Sequence, residues 1–481
     1  MSHFIKTGYW EKSAKKYKDW LDLERLIAGI SPSIPSATSS IAGITKLYTN
    51  ISGSNTDGAV SQNTIRLSIP YVTPEQYGAV GDGVTNDVVA IQAAIDSGFP
   101  VYFSKKNYRV NSQLNVPQDA ILFGSGYASI ISTTSNINII NVTGTNVTID
   151  TLTFVGNNSG GAQVGIRQAG VLFTTLLYGL RVNNCNFINL NFAGIHSTNT
   201  PGTASTHEGA IRGDNNFFTG CGTGLLIGDR TEYCVFTRTK AVTCGVGIYN
   251  IGGNNQYLGG SLTTCTSHGF RADTGANDGK FSVVGFSINH NAVGVLCFGL
   301  LNGCIFDSCS ILASTTNPIN IATSTGVFFN NCDISGSGNI TLTGNIYPYG
   351  FKNCRWVQTP AFNLVSGAAA ISDGCSPGVT SPSALSANTN DYAPSGIANT
   401  NILRISATSP FDLTGIAMGG TMSPERKLTL VNIGANTITL KNDVTSTAAN
   451  RFLLNADFAL AANMQCSLEY DGTSLRWRKS Y

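Results

Sequence analysis

The chain has 481 residues, more than one ordinary domain requires, and only 12% of them are charged while glycine supplies 53. A net charge of +2 gives nucleic acid or an anionic membrane surface no electrostatic hold, and no apolar run is long enough to span a bilayer, so neither partner is expected. The 12 cysteines form no CxxC pair, which argues against a metal site, and the chain is too large to need a disulfide scaffold.

Residues 1–30 differ in composition from the rest. Trp20, Leu23 and Ile27 share one helical face, which predicts a short amphipathic helix fit to anchor the chain on a larger assembly. No apolar h-region follows Met1, so no signal peptide is expected and folding in a reducing cytosol is. Ser31-Pro32-Ser33-Ile34-Pro35 opens a linker or neck at 31–69. Its stretches Gly43-Ile44-Thr45-Lys46-Leu47-Tyr48 and Asn55-Thr56-Asp57-Gly58-Ala59 resemble segments of tailed-phage fibre and spike proteins.

The run Tyr77-Gly78-Ala79-Val80-Gly81-Asp82-Gly83-Val84-Thr85-Asn86-Asp87, followed by Ala90-Ile91-Gln92-Ala93-Ala94-Ile95, has glycines for a tight turn and then an apolar helical stripe. Asn86 or Thr85 is the expected N-cap of a helix over 87–97, lidding the open end of whatever follows, with Asp82 and Asp87 in the turn and cap. This run, with Val101-Tyr102-Phe103 and Tyr108-Arg109-Val110, resembles the entry of the pectate-lyase-like right-handed β-helix superfamily, with Ser104 and Lys106 where that family usually has Pro and Gly. The resemblance implies an all-β fold, a right-handed parallel β-helix over 70–370.

Periodicity supports a solenoid independently. Cys221, Cys244, Cys265, Cys309, Cys332 and Cys354 are separated by 23, 21, 44, 23 and 22 residues, giving coils of about 22 with Phe286 in the skipped rung. Cys185 precedes them, and the step to Cys221 holds an insertion of about 14 residues carrying His196, Pro201, His207 and Glu208. Residues 371–400 are expected to be a linker. Alternating strands over 401–481, with a hairpin turn at Asp471-Gly472, predict a C-terminal β-sandwich.

An anchor, a capped β-helix and a terminal β-sandwich together resemble a bacteriophage tailspike. The resemblance implies a homotrimer held to a virion tail or baseplate protein by its N-terminus, with the C-terminal piece serving trimerisation or glycan binding. It also implies binding of a bacterial surface polysaccharide, capsule or O-antigen, with synthesis in the host cytoplasm and release by lysis. Glycoside hydrolysis needs two carboxylates. Inward Phe270 and Ala272 would turn Arg271 and Asp273 outward, and Asp229 follows Cys221 by the same 8 residues as Asp273 follows Cys265. The catalytic candidates are therefore Asp229, Asp273, Glu208 and Glu232. Arg230, Arg271, His196 and Tyr249 flank them as substrate-binding candidates, Tyr249 as a ring to stack on a sugar. No metal and no cofactor is expected. An eliminative lyase using arginine as charge neutraliser, with His290 as a weak candidate base, a binding-only spike and a structural virion protein remain alternatives.

Overall fold

The computed structural model describes residues 70–158, 161–169, 179–198, 208–209, 211–229, 231–273, 279–299, 301, 303–322, 326–343, 349–356, 362–364, 370–373, 379–395, 397, 400–417 and 426–480. The N-terminal anchor and neck, Arg230, Pro201 and His207 lie outside these residues. Pro70 apart, everything described belongs to one unit, Tyr71–Tyr481.

A short pattern recurs along the chain: outward residue, glycine, buried apolar residue, outward residue, buried residue. It appears as Val246-Gly247-Ile248-Tyr249-Asn250 and His268-Gly269-Phe270-Arg271-Ala272. Each copy is a strand pairing in parallel with its counterpart one coil on, and six of the eleven strands in this sheet, which runs from Leu114–Val116 to Phe362–Leu364, carry the glycine. The remaining strands of each coil join a second sheet of 21, and the result is a right-handed β-solenoid. Glycine is required by close approach: a Cβ on Gly247 would lie 2.6 Å from the carbonyl oxygen of Gly269, and one on Gly224 2.6 Å from that of Gly247.

Two bends per coil are taken by residues in the left-handed region. Asn184, Asn331 and Asn353 hold φ of 51°, 52° and 54° at the first bend, a conformation asparagine tolerates better than most residues. Their amides form a ladder, as Asn215 donates to Asn184 at 3.0 Å and Asn331 to Asp307 at 2.9 Å. The second bend is held by Asn189, Gly220, Thr243, Thr264 and His290.

The cysteines follow these bends, and this corrects the single column expected from their spacing. Cys185, Cys309, Cys332 and Cys354 follow the first bend, whereas Cys221, Cys244 and Cys265 follow the second. The step of 44 is thus a change of column. Phe286 does stand beside Cys309, since Ser287 pairs with Ser310, but below it lies Gly260, and the slot after Cys265 is Asn291. All eleven described cysteines are free and buried. Burial pushes the Cys185 thiol up to about 12, and Cys332 and Cys354 donate to the carbonyls of Phe306 and Phe329 on the preceding rung. Phenylalanine stacks complete the core, with Phe306, Phe329 and Phe351 at 4.9 and 5.1 Å between centroids.

The helix Val88–Asp96 buries Ala90, Ile91, Ala94 and Ile95 against the first coils. Its N-cap is Asp87, not Asn86 or Thr85. The Asp87 carboxylate accepts from the backbone of Val80 at 2.7 Å and of Gly81 at 3.1 Å, so it closes the glycine loop onto the helix start. Asp82 accepts from the backbone of Val84 and Thr85, a local turn as expected.

Beyond the solenoid, the expected linker 371–400 contributes to a second core. Leu385 and Ile397 are buried with Leu403, Leu428, Leu440, Leu468 and Trp477. Val379–Thr380, Ile402–Ile405 and Lys427–Asn432 pair in parallel, as do Phe411–Leu413 and Ile438–Leu440. Gln465–Asp471 runs antiparallel to Lys427–Asn432 and to Arg476–Lys479, and Phe458–Leu460 runs antiparallel to Ile438–Leu440. The C-terminal piece, expected to be a sandwich, holds a five-stranded and a three-stranded sheet that share this core, with mixed strand directions. Strands some 25 residues apart lack the tight turns that hairpins need, and Asp471-Gly472 supplies one where the sheet turns antiparallel.

Candidate functional site

The residue two places after each pattern glycine points out of the eleven-stranded sheet, because its neighbours on both sides are buried in the core. Strand register stacks these residues into one ladder: Arg167, His196, Leu226, Tyr249, Arg271, Leu296 and Asn320. Three of the expected site residues, His196, Tyr249 and Arg271, therefore lie on one line along the solenoid axis. Asp273 stands one outward position further along, just past the end of the strand His268–Ala272 that carries Arg271.

Tyr249, Arg271 and Asp273 are in direct contact. The Tyr249 hydroxyl donates to Asp273 Oδ2 at 2.5 Å. Arg271 donates to the same carboxylate through Nη2 at 2.7 Å and Nε at 3.3 Å. The guanidinium also lies over the Tyr249 ring, 4.4 Å from its centroid. Asp273 is the more enclosed partner of the ion pair, its side chain 16% exposed against 34% for Arg271. Burial, then the bond to Asp273, pushes the Tyr249 phenol up to about 12, and the bond to Asp273 raises Arg271 further. The site at neutral pH thus holds a neutral phenol and a permanent cation around one carboxylate. One expectation changes here: Arg271 occupies a face of Tyr249, so Tyr249 is not an open platform for a sugar.

His196 sits two rungs from Tyr249 with Leu226 between, about 10 Å at ~4.8 Å per rung. Its ring meets Phe192 edge-on at 5.1 Å. Burial, then the nearby Arg167, pushes the imidazole down to about 4, so it is neutral over the physiological range. His268, which receives or gives a hydrogen bond with Ser267 at 2.7 Å, is likewise lowered by burial and by Arg271.

The other carboxylates are arranged differently from expectation. Ile227 pairs with Asn250 and Asn250 with Ala272, so the residue in register with Asp273 is Gly228 and not Asp229. The turn between Cys221 and Thr223 is one residue shorter than that between Cys265 and His268, and one residue moves a strand position to the other face. Asp229 is half-buried in the turn that follows. Glu232 is 3% exposed and accepts from Asn254 at 3.2 Å, so it faces the protein and not a ligand. Glu208 lies in a two-residue strand, Glu208–Gly209, paired with Thr231–Glu232. His290 is exposed in the left-handed region at a bend, as suits a surface histidine.

Sequence reasoning missed Arg167, Leu226, Leu296 and Phe298 on this face. The glycine pattern carries them: Gly165, Gly194, Gly224, Gly247, Gly269 and Gly294 are each followed two places later by a ladder residue. Among the described residues no group of three or more metal-ligating side chains converges.

Residues 72–271 match the family "Rhamnogalacturonase A/epimerase, pectate lyase-like". The preneck appendage protein of Bacillus phage PZA is 44% identical over 55 residues, 11% of this chain and 6% of that protein. A "Depolymerase, capsule K30/K69-specific" of Klebsiella phage K64-1 is 31% identical over 192 residues, 34% of this chain and 23% of that protein. The chain therefore spans less than a quarter of the length of either relative. Among solved structures, the Dettilon tailspike protein aligns with a TM-score of 0.45 at 14% identity, covering 62% of this chain and 69% of its own. Residues 72–271 are thus similar to a pectate-lyase-like family, and parts of the chain are similar to a phage appendage protein and a phage capsule depolymerase.

Proposed function

We propose that this chain is a virion-associated spike that binds a bacterial surface polysaccharide and cuts it at the Tyr249–Arg271–Asp273 cluster. The observation that carries the reading is the half-enclosed Asp273 carboxylate, held by a phenol at 2.5 Å and a guanidinium at 2.7 Å on the outer face of the sheet. The capsule-depolymerase name of one relative supports the substrate class. Attachment to a virion tail through the N-terminus, a homotrimeric state, and synthesis in the host cytoplasm with release by lysis belong to the same proposal.

The reaction proposed is glycoside hydrolysis. Asp273 accepts hydrogen bonds from both Arg271 and Tyr249, a placement that suits it to the role of base or nucleophile. The proton for the leaving oxygen then comes from a second carboxyl group, and Asp229, two coils away, is the candidate. A second reading draws on the guanidinium at the site: with a uronate substrate, Arg271 neutralises the sugar carboxylate, Asp273 takes the proton of the adjacent carbon, and the glycosidic oxygen departs with a proton from water as the C=C bond forms.

Purified capsule and O-antigen incubated with the protein test both. New reducing ends without ultraviolet absorbance mean hydrolysis, and both together mean elimination through a new C=C bond. Asp273→Asn should lower cleavage by roughly 10²- to 10⁴-fold while polymer binding persists. Undiminished cleavage by that variant would overturn the site.

A further inference from the structure

A sugar-cleaving face needs more than donors and a carboxylate, because pyranose rings offer an apolar C–H side that binds best against an aromatic or aliphatic surface. Tyr249 cannot supply a free face on the side that Arg271 covers at 4.4 Å. Apolar surface comes instead from the rung that follows the cluster, where Leu296 is half-buried, whereas Leu226 on the preceding rung is only 8% exposed. Along the ladder the order is Leu226, Tyr249, Arg271, Leu296, so the two polar side chains stand between two leucines.

Phe298 completes this surface. Ala272 pairs with Cys297, both turned into the core, so the following residues Asp273 and Phe298 lie side by side on the outer face. Phe298 is 52% exposed, more than Phe192 at 41% and Phe328 at 38%, in a chain whose Phe187, Phe236, Phe270 and Phe306 are at most 1% exposed. On its far side it pairs with Ala322, whose methyl group leaves the ring uncovered. The alternation that buries Val295 and Cys297 compels residue 298 to face out, but it does not demand that the residue be aromatic.

We infer that Phe298, with Leu296 beside it, is a sugar-stacking subsite next to Asp273, taking the C–H face of a pyranose one unit from the bond that is cut. This rests on the cleavage reading of the same site. The ligand class is a pyranose whose ring hydrogens on one side are unbroken by an axial hydroxyl. Polar contacts to Asp273 and Arg271 then fix its register along the solenoid axis.

The test uses the full chain, its Phe298→Ala, Phe298→Trp and Asp273→Asn variants, and an immobilised array of purified capsular and O-antigen polysaccharides that includes the K30 and K69 capsules. Because Phe298 is exposed, its truncation leaves the core intact, and an unchanged melting temperature confirms this. Phe298→Ala is expected to weaken polymer binding and raise KM by about tenfold with kcat nearly unchanged, and Phe298→Trp to restore both. Wild-type binding and KM in Phe298→Ala, with Asp273→Asn inactive, would overturn the platform and leave the cleavage site standing. Full activity in Asp273→Asn, with binding lost in Phe298→Ala, would overturn the cleavage site and leave the platform as a binding surface.

Discussion

Tyr249, Arg271 and Asp273 are the residues on which the proposed chemistry rests, and their mutual contacts make the effects of changing them separable. Tyr249→Phe removes the hydroxyl that donates to Asp273 at 2.5 Å while keeping the ring under Arg271. Steady-state kinetics should show kcat reduced roughly 10- to 100-fold, the worth of one hydrogen bond to a charged group, with little change in melting temperature. His196 makes a different prediction. Its folded pKa of about 4 lies below the ordinary 6.5, so at pH between these values the unfolded chain takes up a proton that the fold refuses. Its contribution to stability is present in full above pH about 6.5 and is lost as pH falls toward 4, at most about 3 kcal/mol. Denaturant titrations of His196→Gln should therefore show a shallower acid-side decline than wild type. An equal slope would mean that this imidazole is protonated in the folded chain. At this scale alternation made Tyr249, Arg271 and Asp273 legible, since apolar neighbours force them outward. Asp229 and Glu232 were misplaced because a one-residue difference in a turn is invisible until the strands are paired.

The strand pattern is the unit from which the face is built, and the glycine within it sets how closely successive coils approach. A Cβ at Gly247 would stand 2.6 Å from the Gly269 carbonyl and 3.1 Å from Leu262 Cδ2, and a backbone atom cannot move aside as a side-chain tip can. Gly247→Val is expected to cost about 3 kcal/mol in urea unfolding, and a change within experimental error would refute the close approach. The cysteine spacing revealed a solenoid but blended two columns into one, because the two bends of a coil are separated by a short strand of similar composition. The glycine repeat has steps of 29, 30, 23, 22 and 25 residues from Gly165 to Gly294, too uneven for a fixed period to detect. Its irregularity comes from loops inserted between coils, and those same loops hold Glu208.

For the molecule as a whole, a continuous dry core explains why so many thiols remain single. Cysteines of successive coils point the same way and are at most 2% exposed, so they pack as small apolar groups without an oxidant's access. A thiol reagent should react with few or none of the 12 cysteines of the native chain and with all of them after denaturation, and added reductant should not shift the melting temperature. The solenoid was legible from composition and the capped glycine loop. The strand directions of the C-terminal piece were not, because short alternating strands look alike whether they stack as parallel coils or fold back as hairpins. Only loop length distinguishes the two, and there the chain continues parallel pairing to Ile438–Leu440 before turning antiparallel.

The most direct measurement is the structure of the Asp273→Asn chain bound to an oligosaccharide of the polymer it recognises. The account predicts a saccharide lying along the ladder from Leu226 to Leu296, a glycosidic oxygen within hydrogen-bond reach of residue 273, and a pyranose face on Phe298. A saccharide seated instead on the other sheet, beside the exposed and register-paired Arg181 and Arg212, would contradict it.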